Sequence, residues 1–175
     1  YAPYAGQSIA MIGQQLGKDP YDTLYDILMA EKCEVTMLDT IASEDDMLLF
    51  LKDRRANLIS DAIYPAGGKR HPTVCAAFPK LLTDYVRDKK IFTIEEAIYK
   101  MTARPAQVYR MDRGTLQVGM PADLCVFHLE NLDAAADFDH PDRLCTGFDY
   151  VLTGGQIVVR KDQWNNPGSG EVIVR

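Results

Sequence analysis

With 175 residues, 47% of them hydrophobic, the chain has material for one or two domains around a real core and no sign of bulk disorder. A net charge of −6 excludes the broad basic surface that nucleic acid requires, so no nucleic-acid partner is expected. No apolar run approaches the roughly 20 residues that cross a bilayer, and the opening YAPYAGQS lacks the basic and apolar regions of a signal peptide, so no membrane partner is expected either.

The first elements read as helices with clear start signals. In SIAMIGQQLG, Ser8 caps, Ile9, Ile12 and Leu16 share one face, and Gly17 stops the helix. DPYDTLYDILMAEK repeats the pattern, with Asp19 as cap, Pro20 in the first turn and Leu24, Ile27 and Leu28 inward. EVTMLD, Glu34 to Asp39, is a short candidate strand. SEDDMLLFLKD follows as a helix capped by Ser43, its acids lying at the positive end of the helix dipole. NLIS, Asn57 to Ser60, is the next candidate strand. Strand, helix, strand with short links is the order of a βαβ unit, hence of a parallel sheet.

After a loop rich in Gly and Pro, TVCAAFPKLLTDYVRD predicts a helix that kinks or breaks at Pro79. In TIEEAIYKMT, Thr93 and Glu96 form a capping box, and Pro105 lies just beyond the helix end. Phe78, Leu81 and Met101 fall at core spacing. From Gly114 the texture turns to β. GTLQVGMPADLCVFHL and GFDYVLTGGQIVVR read as strands, the latter a hairpin turning at Thr153-Gly154-Gly155, and GEVIVR as a last strand. A division near Arg113 follows, with residues 1–113 α/β and residues 114–175 mostly β.

Cys33, Cys75, Cys125 and Cys145 include no Cys-x-x-Cys pair, which excludes a zinc knuckle and a dense disulfide framework. Cys75 and Cys125 have apolar neighbours and read as small buried hydrophobes, and a reducing, cytoplasmic setting is expected. His128 and His140 lack a partner at His-x-His or His-x-x-x-His spacing and are not expected to ligate metal. Asp123 reads as a residue that fixes a strand turn.

The stretch NLISDAIYP poses the functional question. An apolar run ends on Ser60-Asp61 and enters a loop with Pro65, Gly67, Gly68 and Pro72. A buried strand that stops on a carboxylate suits a barrel whose strand ends carry chemistry. Asp is equally a cap or turn residue, and local sequence leaves both readings open. His71 is likewise either a site residue or a surface histidine before a proline, and Lys69 and Arg70 either meet a substrate carboxylate or form a solvated basic turn.

Ile91 to Phe127, IFTIEEAIYKMTARPAQVYRMDRGTLQVGMPADLCVF, resembles the closing segment of the amidohydrolase superfamily. SDAIYPAGGKRHP, FPKLL and DHPDRLCTGFDYVLTGGQIVV extend the resemblance to the D-aminoacylases, the N-acyl-D-amino-acid deacylases, as does GQSIAMIGQQLGKDPYDTLYDIL near the start. The resemblance implies an α/β fold, the C-terminal part of a metal-dependent (β/α)8 TIM barrel, plus the C-terminal strands of a small β-sandwich. NLIS becomes the eighth barrel strand and EVTML the seventh. Asp61 then sits at the barrel mouth as the catalytic acid/base and a ligand of zinc or of its water. His71, Arg70 and Lys69 become substrate-binding candidates. Thr73 stands where many D-aminoacylases carry Arg, a departure in the recognition of the substrate carboxylate.

The remaining family ligands, a His-x-His among them, are not found in this chain, whose three histidines all lie at or after position 71. A whole barrel takes about 250 residues. The resemblance therefore implies a piece of a larger enzyme, inactive alone, with strand edges covered by self-association or by the missing N-terminal part; the opening Tyr1 fits a processed or excised piece. The expected substrate is an N-acyl-D-amino acid or a related small amide. A dihydroorotase- or hydantoinase-like cyclic amidohydrolase and a noncatalytic assembly module with amidohydrolase architecture are the alternatives.

Overall fold

A computed structural model describes residues 1–39, 41–63, 70–165 and 168–173. They divide into two compact units, one holding Tyr1–Asp39 and the other the described residues from 41 onward.

The first unit is a helix pair preceded by a single 3₁₀ turn at Ala2–Tyr4. Helix α1, Ile9–Leu16, starts where Ser8 Oγ accepts the Met11 N–H and ends on Gly17 in the left-handed conformation. Helix α2, Pro20–Ala30, starts where the Asp19 carboxylate accepts the Tyr21 N–H. Ile12, Thr23 and Ile27 are buried in this unit. Gly13 permits the tight link between the helices, because a Cβ there would lie 2.9 Å from the Lys18 carbonyl oxygen.

In the second unit, α3, Glu44–Lys52, is capped by Ser43. It turns Leu48 and Leu51 inward and leaves Leu49 and Phe50 exposed. Helix α4, Thr73–Lys80, contains Pro79 and passes directly into a π-helical segment, Leu81–Asp88. Pro79 has no N–H to donate back along the helix, and from there the backbone relaxes into wider turns rather than ending. The wide bonding shows at the segment's close, where the Lys89 N–H reaches the Asp84 carbonyl at 2.9 Å. Helix α5, Ile94–Met101, carries the expected capping box between Thr93 and Glu96. Pro105 lies beyond the end of α5, as expected, and in the first turn of a further helix, α6, Ala103–Tyr109, where its missing N–H has no partner to lose.

Four strands follow in the order β1-β2-β3-β4, all neighbours antiparallel: Leu124–Phe127, Phe148–Thr153, Gln156–Arg160 and Gln163–Trp164. The hairpin turn between β2 and β3 has Gly154 and Gly155 at φ 56° and 80°, the pair of positive values that a tight two-residue turn demands. Asp123 fixes that turn as expected, its Oδ1 accepting the Gly154 N–H at 2.8 Å while its other oxygen pairs with Arg113. Gly147, at φ 99°, passes so close to Asn131 that a Cβ would sit 2.3 Å from the Asn131 carbonyl oxygen.

Helices and sheet share one core of Leu48, Leu51, Leu81, Leu82, Val86, Phe92, Ala97 and Leu132, against which Phe127 and Phe148 of the strands pack. Two polar ties reinforce it. Tyr85 donates to Glu44 Oε1 at 2.9 Å, and the Arg87 guanidinium donates to the Leu132 carbonyl at 2.6 Å.

Several expectations are corrected. Residues 34–39 and 57–60, expected as parallel strands, belong to no ladder among the described residues. A parallel strand needs neighbours brought by long crossovers. The β1 strand is only the end of the long run expected from Gly114, because Gly114 and Gly119 turn the backbone before it. GEVIVR forms no strand through Val172 and Ile173, its last two residues lying outside the described ones. Cys125 is exposed on edge strand β1 and Cys75 only half-buried, so neither is a core residue. Phe78 is on the exposed side of α4. No helix among the described residues is long and apolar enough to cross a membrane.

Candidate functional site

The approach to Asp61 is set by tertiary contacts. Asp53 closes α3 and binds Arg55 three times, through the backbone N–H and two guanidinium nitrogens at 2.8–3.0 Å. The Arg55 guanidinium and N–H together hold the Asp53 carboxyl well below the usual carboxylate range. Lys100 of α5, only 5% exposed, sends its Nζ to the Asp53 carbonyl at 2.6 Å. The carbonyl of Lys100 accepts the Leu58 N–H at 3.1 Å, and Arg104 of α6 donates to the Arg55 carbonyl at 3.2 Å. Burial lowers the Lys100 ammonium pKa, with the Asp53 charge opposing that shift.

Beyond Leu58 the segment alternates as a strand does. Leu58 packs on the core, Ile59 is 62% exposed, Ser60 half-buried, and Asp61 exposed at φ 46°. Positive φ is uncommon outside Gly but is tolerated by Asp, whose short side chain bonds locally. The Asn57 Oδ1 is buried without a hydrogen-bond donor among the described residues.

The second stretch begins at Arg70, which pairs with Asp142 at 3.3 Å. His71 precedes α4, its Nδ1 2.8 Å from Thr73 Oγ1 and accepting the Thr73 N–H at 3.2 Å. Its ring meets Phe138 edge to face, with centroids 5.3 Å apart. Lys69 lies outside the described residues, as do Pro65, Gly67 and Gly68. The structure thus brings His71 and Arg70 to one loop, Asp137 to Asp142. His128 and His140 pair with Asp149 and Asp137 on the sheet and in that loop.

Lys100, Phe138 and Asp142 were not singled out from the sequence. Lys100 carried a signal: it falls on the apolar face of α5, three residues after the fully buried Ala97. Phe138 is the one aromatic of a polar stretch. Asp142 had none, since its partner is 72 positions away.

The family model described as Amidohydrolase family matches residues 58–159, from the approach to Asp61 through β3. That is more than half of the chain. The chain belongs to the amidohydrolase family. Among relatives of this amidohydrolase chain, a D-aminoacylase of Alcaligenes xylosoxydans xylosoxydans is 28% identical over 172 residues, 98% of this chain and 34% of that protein. A solved D-aminoacylase, studied for its binuclear metal centre, superposes on 100% of the chain and 36% of its own, with TM-score 0.83 and 27% identity. An N-acyl-D-glutamate deacylase of Bordetella bronchiseptica, solved with zinc and a phosphonate inhibitor, covers 86% of the chain at TM-score 0.71, 27% identity and 31% of its own length. The chain spans about a third of the length of the relatives it matches.

The described donor set does not by itself fit a zinc ion. Zinc takes four ligands, three of them from protein where a position is left for water. Among the described residues no three His, Cys, Asp or Glu converge on a metal position.

Proposed function

We propose that the chain is the C-terminal part of a zinc-dependent hydrolase that cleaves the amide bond of N-acyl-D-amino acids, a carbon–nitrogen bond other than a peptide bond. The carrying observation is continuity. The likeness to D-aminoacylase spans 98% of the chain in sequence and all of it in structure, rather than one motif.

In this reading residues 1–113 are the last portion of a (β/α)8 barrel and residues 114–175 a β-sandwich portion. Residues 34–39 and 57–60 are its last two strands, with Asp61 at the barrel mouth. The strand-like alternation of Leu58 and Ile59 supports this, as does the buried Asn57 oxygen, an acceptor that a neighbouring strand could satisfy. Exposed Val35, Met37, Leu38, Ile59 and Ile63 are apolar side chains of the kind a barrel covers. The rest of the enzyme, or self-association, covers them.

Asp61 carries a proton in this reaction: its carboxylate takes it from the attacking water and hands it to the departing nitrogen. It is also the one ligand this chain offers to the metal, the others belonging to the remainder of the protein. His71, Arg70 and Lys69 meet the substrate's polar groups.

The test is turnover of N-acetyl-D-amino acids, dihydroorotate and hydantoins by the polypeptide that carries this chain. Asp61→Asn is expected to lower kcat by on the order of 10²–10⁴ while circular dichroism stays unchanged. A near-normal kcat in that variant would sink the assignment of Asp61. Preference for a cyclic amide would turn the reading to a dihydroorotase-like enzyme, and inertness toward all three to an assembly module.

A further inference from the structure

A histidine ring can offer a donor at either nitrogen, and which one is set by what the other nitrogen meets. The contacts at His71 leave little choice. A backbone N–H can only donate, and the Thr73 N–H points at His71 Nδ1 from 3.2 Å. Nδ1 must therefore be unprotonated in the neutral ring, with the Thr73 hydroxyl oxygen 2.8 Å from it. The ring proton then resides on Nε2.

The ring plane is fixed from another direction. Phe138 meets it at an interplanar angle of 87°. Its loop is held in shape by Asp137, whose Oδ1 accepts the Asp139 and His140 N–H groups at 2.9 and 2.6 Å. The Arg70–Asp142 pair ties the far end of that loop to the residue preceding His71. Three local devices thus converge on one exposed imidazole, more than a solvated histidine needs.

We propose that Thr73 locks His71 as the tautomer protonated at Nε2 and Phe138 sets its ring plane, so that His71 offers a single N–H donor to an sp² oxygen of the substrate. This rests on the deacylase reading for the identity of the ligand, not for the tautomer. It gives Thr73 a part in specificity: instead of adding a charge beside the substrate it orients a neutral donor. The competing account is that His71 merely caps α4 by accepting the Thr73 N–H. A cap explains the Nδ1 contact, and with it the proton on Nε2, but has no use for Phe138.

One measurement tests the tautomer and a second separates the donor role from the cap. In ¹⁵N spectra of the 175-residue chain above the titration of His71, Nδ1 should appear unprotonated and Nε2 protonated; the opposite tautomer overturns the proposal without any assay. In the polypeptide that carries this chain, His71→Asn keeps an acceptor for the Thr73 N–H but removes the Nε2 donor. KM for an N-acetyl-D-amino acid should rise about ten- to a hundredfold with kcat and melting temperature nearly kept. If the rise is absent from the matching carboxamide, the oxygen is the substrate carboxylate; if both substrates show it, the oxygen is the acyl carbonyl. An unchanged KM in an active enzyme leaves His71 a cap and overturns the donor role. An inactive wild type instead overturns the deacylase reading, and the substrate role of His71 with it.

Discussion

Two regions of this chain carry strand-type sequence, and they behave differently. Phe148 to Arg160 forms a hairpin whose ladder shifts register between Val151 and Leu152, extended by β1 and β4 into an antiparallel meander. Residues 34–39 and 57–63 are equally rich in Val, Ile, Leu and Met, yet neither joins a ladder among the described residues. Apolar content does not separate the two. The hairpin finds its partner across a two-residue turn, a local closure with a small entropic cost. A parallel strand must be met on both sides by segments that arrive through long crossovers. Antiparallel pairing is thus self-sufficient here, whereas the other two segments are shaped by what surrounds them.

Amide hydrogen exchange on the isolated chain gives the sharpest way to break this contrast. Ladder amides of β2 and β3 such as Val151 and Val159 should be protected about a thousandfold or more over those of Ile59 and Ser60, which open at almost no cost. Leu58, bonded to the Lys100 carbonyl, should be the protected exception in its segment. Equal protection of both regions would show that the segment from Asn57 finds a partner after all, by self-association for instance. A concentration series would reveal that.

A second test asks whether the meander depends on the helices beneath it. Leu82, 4% exposed, belongs to the core that Phe127 and Phe148 join. Leu82→Ala should cost about 2–5 kcal/mol in denaturant unfolding and should move the helical and sheet signals together. Separate transitions would mean that the sheet stands without the helices.

The smallest effect sits at the contact of α3 with the π-helical segment. Burial, with the bond to Glu44 adding to it, pushes the Tyr85 pKa up to about 12. A phenol whose folded pKa exceeds its unfolded value near 10 stabilises the fold fully below pH 10, and that stabilisation is lost as pH rises toward 12. Tyr85→Phe should cost about 1 kcal/mol at neutral pH and flatten the fall in stability between pH 10 and 12 relative to wild type. An identical alkaline slope in both proteins would remove Tyr85 from the account.

The helix starts were legible because their causes are local. Ser8, Asp19, Ser43 and Thr93 each accept an N–H two or three residues ahead, and the glycine turn of the hairpin is equally short in range. Asp61 could be located as the end of an apolar run, and the order of motifs from Ile91 to Phe127 placed the chain in its family. The break at Pro79 was legible as a disturbance but not as a widened helix, since bonding beyond it depends on how Leu81, Leu82 and Val86 seat in the core. Lys100 bonding to Asp53, and Phe138 lying against His71, join positions 47 and 67 apart. No window of sequence contains both partners.

The sequence by itself determined where helices begin, where the hairpin turns, and which carboxylate and which histidine are candidates for chemistry. These follow from backbone sterics and from hydrogen bonds that close within a few residues. Only the tertiary structure decided which strand-type segments pair, which lysine is buried against the approach to Asp61, and which aromatic ring lies against His71. Each of those depends on groups that the fold alone brings together, and a side chain's chemistry is set by its neighbours in space as much as by its own type.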